Sequence, residues 1–425
     1  MTQVRRRALE ALTAITEDGA YANLALKEAA RGLSPEDARF LFALVYGVLD
    51  HLLYIDYILK AFTKPHKNKT VRAILRLGAG ELLYLRTPAH AAISQAVNLT
   101  KAVGKSALSS YVNGVLRSLN RGRENLPSLP EEPSLRMSIQ YSFPLWLVEQ
   151  WIGDYGQAFT EALLSAAPAG LCLRPQYPET AADLEKELPC PLERGLWDEN
   201  ALYPTESLHP AGLPAFTEGR MTVQGEGAML ICRSLGDMKG KRVLDACAAP
   251  GGKSAYLYSL AEGDIHLTCL EKHPHRAELM EKTFDRLSVK GDIRVRDASE
   301  PCADFENAFD AVLLDVPCSG LGLLMEKPDV RYAKTGDDIA ALAALQKKIL
   351  NNACAWVRPG GLLLYATCTI SRAENEDQVS AFLSAHPEFA LEPLPLPLEN
   401  QGAVQLFPHI HKTDGFFMAG MRRCI

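Results

Sequence analysis

The sequence predicts three parts: an all-helical domain over residues 1–130, a small α+β middle domain over 131–220, and an α/β domain over 221–425 with a mostly parallel sheet flanked by helices. Three observations predict this. Up to about residue 120 the apolar residues keep helical spacing. Pro127, Pro130 and Pro133 then break the chain as a linker does. From about residue 221 short apolar strands alternate with helical stretches, the order that builds a parallel sheet. A length of 425 residues fits three domains of roughly 150 residues. With 47% hydrophobic and 23% charged residues, the composition excludes wholesale disorder, a collagen-like chain and a small disulfide-stapled scaffold.

The start, Met1 to Arg7, is basic like a secretory leader, but Glu10, Glu17 and Asp18 interrupt what would be its apolar core. Val4, Ala8, Leu12 and Ile15 instead recur at helical spacing, and no apolar run reaches about 18 residues. A cytoplasmic protein without a membrane partner is expected. Ser34-Pro-Glu-Asp reads as a helix start, with a capping serine, proline in the first turn and acids beside the positive helix end. The runs Arg39 to Leu49 and Val71 to Leu85 continue the helical pattern.

Charge is uneven. Up to residue 140 there are 19 Lys+Arg against 12 Asp+Glu, a net of +7, which leaves −13 for the remainder of a chain whose total is −6. Arg72, Arg76, Lys101, Lys105, Arg117, Arg121 and Arg123 are candidates for a phosphate-facing surface. On charge alone, the solvated faces of ordinary helices explain them equally well.

In the α/β part, Arg242-Val-Leu-Asp-Ala-Cys-Ala-Ala-Pro-Gly-Gly-Lys-Ser254 reads as a strand, a loop of small residues and a helix start. Such a turn lets backbone approach a ligand at the carboxyl end of a strand. It matches neither Gly-x-Gly-x-x-Gly nor a phosphate-binding P-loop, because residue 247 is cysteine. Three acids close the following strands: Glu271 after Leu267-Thr-Cys-Leu, Asp297 after Ile293-Arg-Val-Arg, and Asp315 after Phe309-Asp-Ala-Val-Leu-Leu. A carboxylate after the second strand suits a ribose diol, and one after the third can accept from an adenine amine. A single such acid is more often a helix cap. Three in register after a glycine turn are much harder to dismiss in that way, although the turn alone could be a plain strand-to-helix connection with a glycine pair.

Ten cysteines are scattered without a Cys-x-x-Cys pair, so neither a disulfide framework nor a metal site is expected. Cys172, Cys190, Cys232, Cys302, Cys354 and Cys424 read as small buried hydrophobes. Cys318, in Asp315-Val-Pro-Cys-Ser-Gly320, and Cys368, in Tyr365-Ala-Thr-Cys-Thr369, differ. Both fall at carboxyl ends of predicted strands, in polar turns beside the cofactor loop, so both should face one crevice. A thiolate is a soft nucleophile suited to an electron-poor ring carbon, provided the site lowers its pKa or supplies a base.

Together, Asp245 to Lys253, Asp315 to Gly320 and Tyr365 to Thr369 resemble the RNA (cytosine-5) methyltransferases of the NOL/NOP/Sun group, and the full chain resembles its bacterial small-subunit ribosomal RNA branch with a NusB-type helical domain. Tyr141 to Val148, Gly219 to Gln224 and Asp414-Gly-Phe-Phe417 resemble further segments of that family. The resemblance implies a Rossmann-like, seven-stranded, mostly parallel sheet and S-adenosylmethionine as cofactor. It implies that Cys247, Ala248, Ala249, Pro250, Gly251, Gly252 and Lys253 hold the cofactor, with Glu271 at the ribose, Asp297 at the adenine and Asp315 near both the methionine end and the base. It makes Cys368 the nucleophile, Cys318 the cysteine that resolves the adduct and Asp315 the proton source. The partner would be RNA, ribosomal most readily, with a single-stranded or looped target base, and the enzyme is expected to act as a monomer without metal. Transfer RNA as substrate and an inert RNA-binding regulator are the alternatives. Three departures bear on RNA fit: Leu321 stands where threonine is usual, Gln224-Gly-Glu226 where Gln-Asp is common, leaving an acid missing or displaced to Glu226, and Leu173-Arg-Pro-Gln176 where Leu-Arg-Val-Asn is usual.

Overall fold

A computed structural model describes residues 2–424. The chain forms two compact units: residues up to Ala166 together with Lys327–Ala333, and Ala167–Glu326 together with the chain from Lys334 on. The stretch 131–220, expected as one middle domain, is therefore shared between them. Among the described residues no single helix is long and apolar enough to cross a membrane.

The first unit contains α1 (Thr2–Asp18), α2 (Ala22–Ala29), α3 (Pro35–Asp50), α4 (Leu52–Phe62), α5 (Lys69–Tyr84), α6 (Ala89–Ala102), α7 (Ser109–Gly122), α8 (Pro133–Tyr141), α9 (Leu145–Tyr155) and α10 (Gln157–Leu164). Ser34 caps α3 as expected, accepting from the Asp37 amide at 3.2 Å, and Asn68 caps α5 through Val71 at 3.2 Å. The core helix is α5. An added Cβ at Gly78 would lie 2.6 Å from Leu116 and one at Gly80 2.6 Å from Val48, so small residues let α7 and α3 approach closely. Glu81 of the same helix is buried and paired with Arg5 of α1. After the prolines, Glu132 caps α8, and α8 packs on α4 and α9, which is why 131–166 stays with this unit. The returning segment Lys327–Ala333 lies in the same core. Arg331 stacks 4.3 Å over Phe143, and the Tyr332 hydroxyl sits 2.8 Å from the Leu49 carbonyl and 2.9 Å from that of Ser142. Ser142 and Phe143 of the motif Tyr141 to Val148 thus help to seat that segment together with Leu49.

The second unit opens with a small antiparallel sheet of β1 (Leu173–Pro175), β2 (Leu192–Arg194), β3 (Leu202–Pro204) and β4 (Met221–Val223), in the order β2-β3-β1-β4. The main sheet contains β5 (Arg242–Asp245), β6 (His266–Glu271), β7 (Asp292–Val295), β8 (Phe309–Asp315), β9 (Val357–Thr367), β10 (Phe389–Leu391), β11 (Ala403–Gln405) and β12 (Phe417–Arg423). Its order is β10-β12-β9-β8-β5-β6-β7, with β11 also on β12. The five strands from β9 to β7 are parallel, whereas β10, β11 and β12 pair antiparallel. Eight strands therefore replace the expected seven. One edge of β12 pairs with β9, and β10 and β11 divide the other, at residues 421–423 and 417–419 respectively, so the sheet keeps seven positions. Chain order reverses between β5 and β8, and the carboxyl ends of strands at such a point open a crevice.

Candidate active site

The loop after β5 starts from Asp245, whose carboxyl accepts from the Ser254 hydroxyl at 2.6 Å. Burial raises Asp245 to about 6, and the nearby Asp315 charge adds to this against the Ser254 hydrogen bond. Gly251 turns the chain with φ of +99°, and a Cβ there would lie 3.0 Å from Met280 and 3.1 Å from Phe284. Only glycine combines that backbone conformation with that space. The helix Gly252–Leu260 follows and carries Lys253 in its first turn.

One cavity of about 420 Å³ is lined by Cys247, Ala249, Glu271, Asp297, Asp315, Cys318 and Cys368, among others. Three acids and three cysteines, brought by the ends of five strands, thus converge in one place. Ala248 and Gly251 build the turn behind it, with the Ala248 amide donating to the Leu270 carbonyl and the Gly251 amide to that of Ala248. Glu271 is 5% exposed; one oxygen accepts from the His273 amide at 2.8 Å and the other lies 3.3 Å from Arg276. Asp297 accepts from the Ser299 amide at 2.8 Å and pairs with Lys272 at 2.8 Å. Burial alone would raise Asp297, but these partners outweigh it and hold the carboxyl down to about 2. Asp315 pairs with Lys253 at 2.6 Å. Burial would lower the Lys253 ammonium; the Asp315 carboxylate raises it instead and keeps it charged.

The Cys318 and Cys368 sulfurs are 3.2 Å apart, and the Cys368 amide donates to the Cys318 sulfur at 3.3 Å. The two are not joined in a disulfide, whose sulfurs would lie about 2.05 Å apart. The hydrogen bond to Cys368, then burial, then the charges of Cys368, Glu374 and Asp315 push Cys318 well up. The two sulfurs share a hydrogen bond in which either can be the donor.

Other sequence readings need correction. Glu226 is no displaced acid of the site: it is buried and accepts from the amides of Trp197 (2.6 Å) and Asp198 (2.8 Å) and the Tyr203 hydroxyl (3.1 Å). Arg174 is fully buried, donating to Gln224 at 2.7 Å and to Gln176 at 3.0 Å, so it joins the two segments that carry these departures. In the helical unit, Arg72 pairs with Glu17 and Arg76 with Asp56, so these two of the seven candidate cations are engaged within the fold. Arg117 and Arg121 line a polar cleft with His90, Asn113 and Ser118 and pair with no described carboxylate. Among the described residues no cluster of His, Cys, Asp or Glu is arranged to hold a metal. Two residues escaped the sequence reading altogether. Gly322 joins the Cys318 loop to both the Cys368 carbonyl (3.0 Å) and Gly415 of the Asp-Gly-Phe-Phe motif (2.8 Å). Glu374 lies beneath both cysteine loops.

A reversing parallel sheet, a glycine turn after its first strand and acids at the next strand ends define an α/β protein of the class that binds a nucleoside-bearing cofactor, and the cavity's size and carboxylate lining fit a nucleoside with a charged tail. Residues 233–422 match the family model described as 16S rRNA methyltransferase RsmB/F, and residues 2–121 match that of the NusB family. The chain is 38% identical to the "Probable ribosomal RNA small subunit methyltransferase B" of Bacillus subtilis, over 99% of both chains. It is 33% identical to the "Ribosomal RNA small subunit methyltransferase B" of Shewanella oneidensis, over 98% of both. The crystal structure of PH0851 superposes with a TM-score of 0.85 at 25% identity, covering 100% of this chain and 99% of the other. The chain belongs to the family of bacterial ribosomal RNA small-subunit methyltransferases B, and it is an RNA methyltransferase that uses S-adenosylmethionine.

Proposed function

We propose that the protein methylates carbon 5 of a cytosine in small-subunit ribosomal RNA through a covalent adduct between Cys368 and carbon 6 of the base. The observation that supports this reading is the pair of sulfurs 3.2 Å apart in the cavity that also holds the three strand-end acids. Carbon 5 is a poor nucleophile until carbon 6 is saturated. The Cys368 thiolate, accepting the Cys318 S–H hydrogen bond, adds its electron pair to carbon 6. A proton passed from the Lys253 ammonium through the Asp315 carboxylate to N3 takes up the displaced electrons as an enamine. Bound S-adenosylmethionine supplies an electrophilic methyl on its sulfonium, which carbon 5 of the enamine accepts. Water takes the carbon 5 proton and the double bond is restored as the Cys368 thiolate leaves, with the Cys318 S–H hydrogen-bonding the departing sulfur, and the N3 proton returns through Asp315 to Lys253. Glu271 would hold the ribose hydroxyls and Asp297 the adenine amine, with the loop Cys247 to Lys253 against the remainder of the cofactor. Residues 1–130 and 131–220 would dock the RNA, and an extruded base would enter the cavity. The names of the relatives favour ribosomal over transfer RNA, and a cytoplasmic location follows from such a substrate.

The experiment is a pair of variants assayed on small-subunit RNA. Cys368→Ala should abolish 5-methylcytidine while S-adenosylmethionine binding survives; retained turnover would sink the assignment. Cys318→Ala should accumulate a denaturant-stable protein–RNA adduct that the Cys318→Ala/Cys368→Ala double variant cannot form. Without that adduct, Cys318 is left with a structural role.

A further inference from the structure

Glu374 has no exposed surface and does not line the cavity, yet its carboxylate touches the residue after each cysteine. One oxygen accepts from the Ser319 amide at 2.8 Å and from Gln346 Nε2 at 3.0 Å. The other accepts from the Ser319 hydroxyl at 2.5 Å and lies 3.4 Å from the Thr369 hydroxyl, itself 2.8 Å from Ser319 Oγ. Gln346 also donates to the Pro317 carbonyl at 2.9 Å, so the Pro317-Cys-Ser loop is held on both sides of Cys318. On the Cys368 side, Asn375 donates to the Thr369 carbonyl at 3.0 Å and accepts from Thr367 at 2.6 Å. Every partner of the Glu374 carboxylate is a donor, the environment of an ionised acid whose lone pairs are met. Burying such a group is costly, and here that cost is offset by donors from the Cys318 loop and Gln346, which an apolar side chain would leave unpaired. The carboxylate therefore ties together the two reactive loops rather than merely filling space.

We propose that Glu374 is a positioning residue for methyl transfer: by binding Ser319 and the Ser319–Thr369 hydroxyl pair, it fixes the separation and orientation of the two sulfurs. The proposal rests on the reading of Cys368 as nucleophile and Cys318 as its proton partner. The carboxylate has a second effect, since its charge, with that of Asp315, helps to keep the proton on Cys318. The ionisable groups around Cys318 are Cys368, Glu374, Asp315 and Tyr365, and of these only Glu374 bonds to both cysteine loops.

The test is Glu374→Gln, which keeps the shape but places an amide donor against groups that themselves donate. Displacement of reacting groups by about 1 Å costs on the order of 10²-fold, so kcat should fall about that far while the S-adenosylmethionine Kd and the RNA KM stay at wild-type values. Iodoacetamide alkylation of Cys318, followed by peptide mass spectrometry, should also shift to lower pH once the neighbouring charge is gone. Ser319→Ala, which removes one hydroxyl and no charge, should lower kcat in the same sense by a smaller factor, and it decides the matter alone if Glu374→Gln does not fold. Wild-type kcat in a folded Glu374→Gln, or a fall matched by equal losses in cofactor and RNA binding, overturns the proposal. If the wild-type enzyme forms no 5-methylcytidine, the reading of the reaction fails instead, and the alkylation profile then decides the role of Glu374 by itself: an unchanged profile overturns it.

Discussion

At the carboxyl end of β6, Glu271 is nearly buried but only half satisfied by protein partners, with one backbone amide and a more distant guanidinium. A carboxylate has about four acceptor positions, so lone pairs remain for a diol. Glu271→Ala should weaken S-adenosylmethionine binding by about 1.5–3 kcal/mol, the usual worth of hydrogen bonds to a charged group. Calorimetry checks this, and an unchanged Kd would remove Glu271 from the cofactor. Asp297 behaves differently because Lys272 and Ser299 hold it low; it stays ionised above about pH 2, so its contribution is constant through any working pH and is lost only in strong acid. These acids and both cysteines were legible in the sequence because strand ends fix which way a residue faces. Glu374 was not, since nothing local in Arg-Ala-Glu-Asn-Glu376 shows that it folds back under two distant loops. The same blindness to remote partners made Arg72 and Arg76 look available, when Glu17 and Asp56 hold them.

Among the elements, the meeting of three loops at Gly322 carries the most consequence. A Cβ there would lie 1.8 Å from the Gly415 carbonyl oxygen and 2.9 Å from that of Cys368, both backbone atoms that cannot rotate away. Gly322→Ala must therefore push apart the loops that carry Cys318 and Cys368, at about 1–3 kcal/mol for overpacking. The expected outcome is a folded protein with a lower melting temperature and greatly reduced methylation; wild-type activity would show that the loops tolerate separation. Four of the five parallel strands were readable because each carries an apolar run ended by an acid or a small residue, whereas β7, Asp292-Ile-Arg-Val295, is largely exposed and was placed by Asp297 just beyond it. The division of one β12 edge between β10 and β11 was not, because three-residue strands are too short to display a period.

For the molecule as a whole, the chain passes between its two units at residue 167, again at 327 and again at 334. The helical domain and the α/β domain were foreseen from periodicity alone, but this return was invisible, since Lys327–Ala333 has no composition that sets it apart. Arg331 is 5% exposed and stacks on Phe143 within the helical unit, so Arg331→Ala should destabilise that unit by about 1–3 kcal/mol, read as a lower first transition in calorimetry. An unchanged transition would mean that the segment is merely adjacent.

That return also governs the order in which the protein can be completed during synthesis. Domains generally fold as they leave the ribosome, the amino-terminal one first. Here the carbonyls of Leu49 and Ser142 and the ring of Phe143 must wait until residues 331 and 332 have been made. By then the Cys318 loop, only nine residues before Lys327, has already been translated, while Cys368 has not. The amino-terminal unit is thus the first to begin folding, but it cannot be finished before much of the catalytic sheet exists.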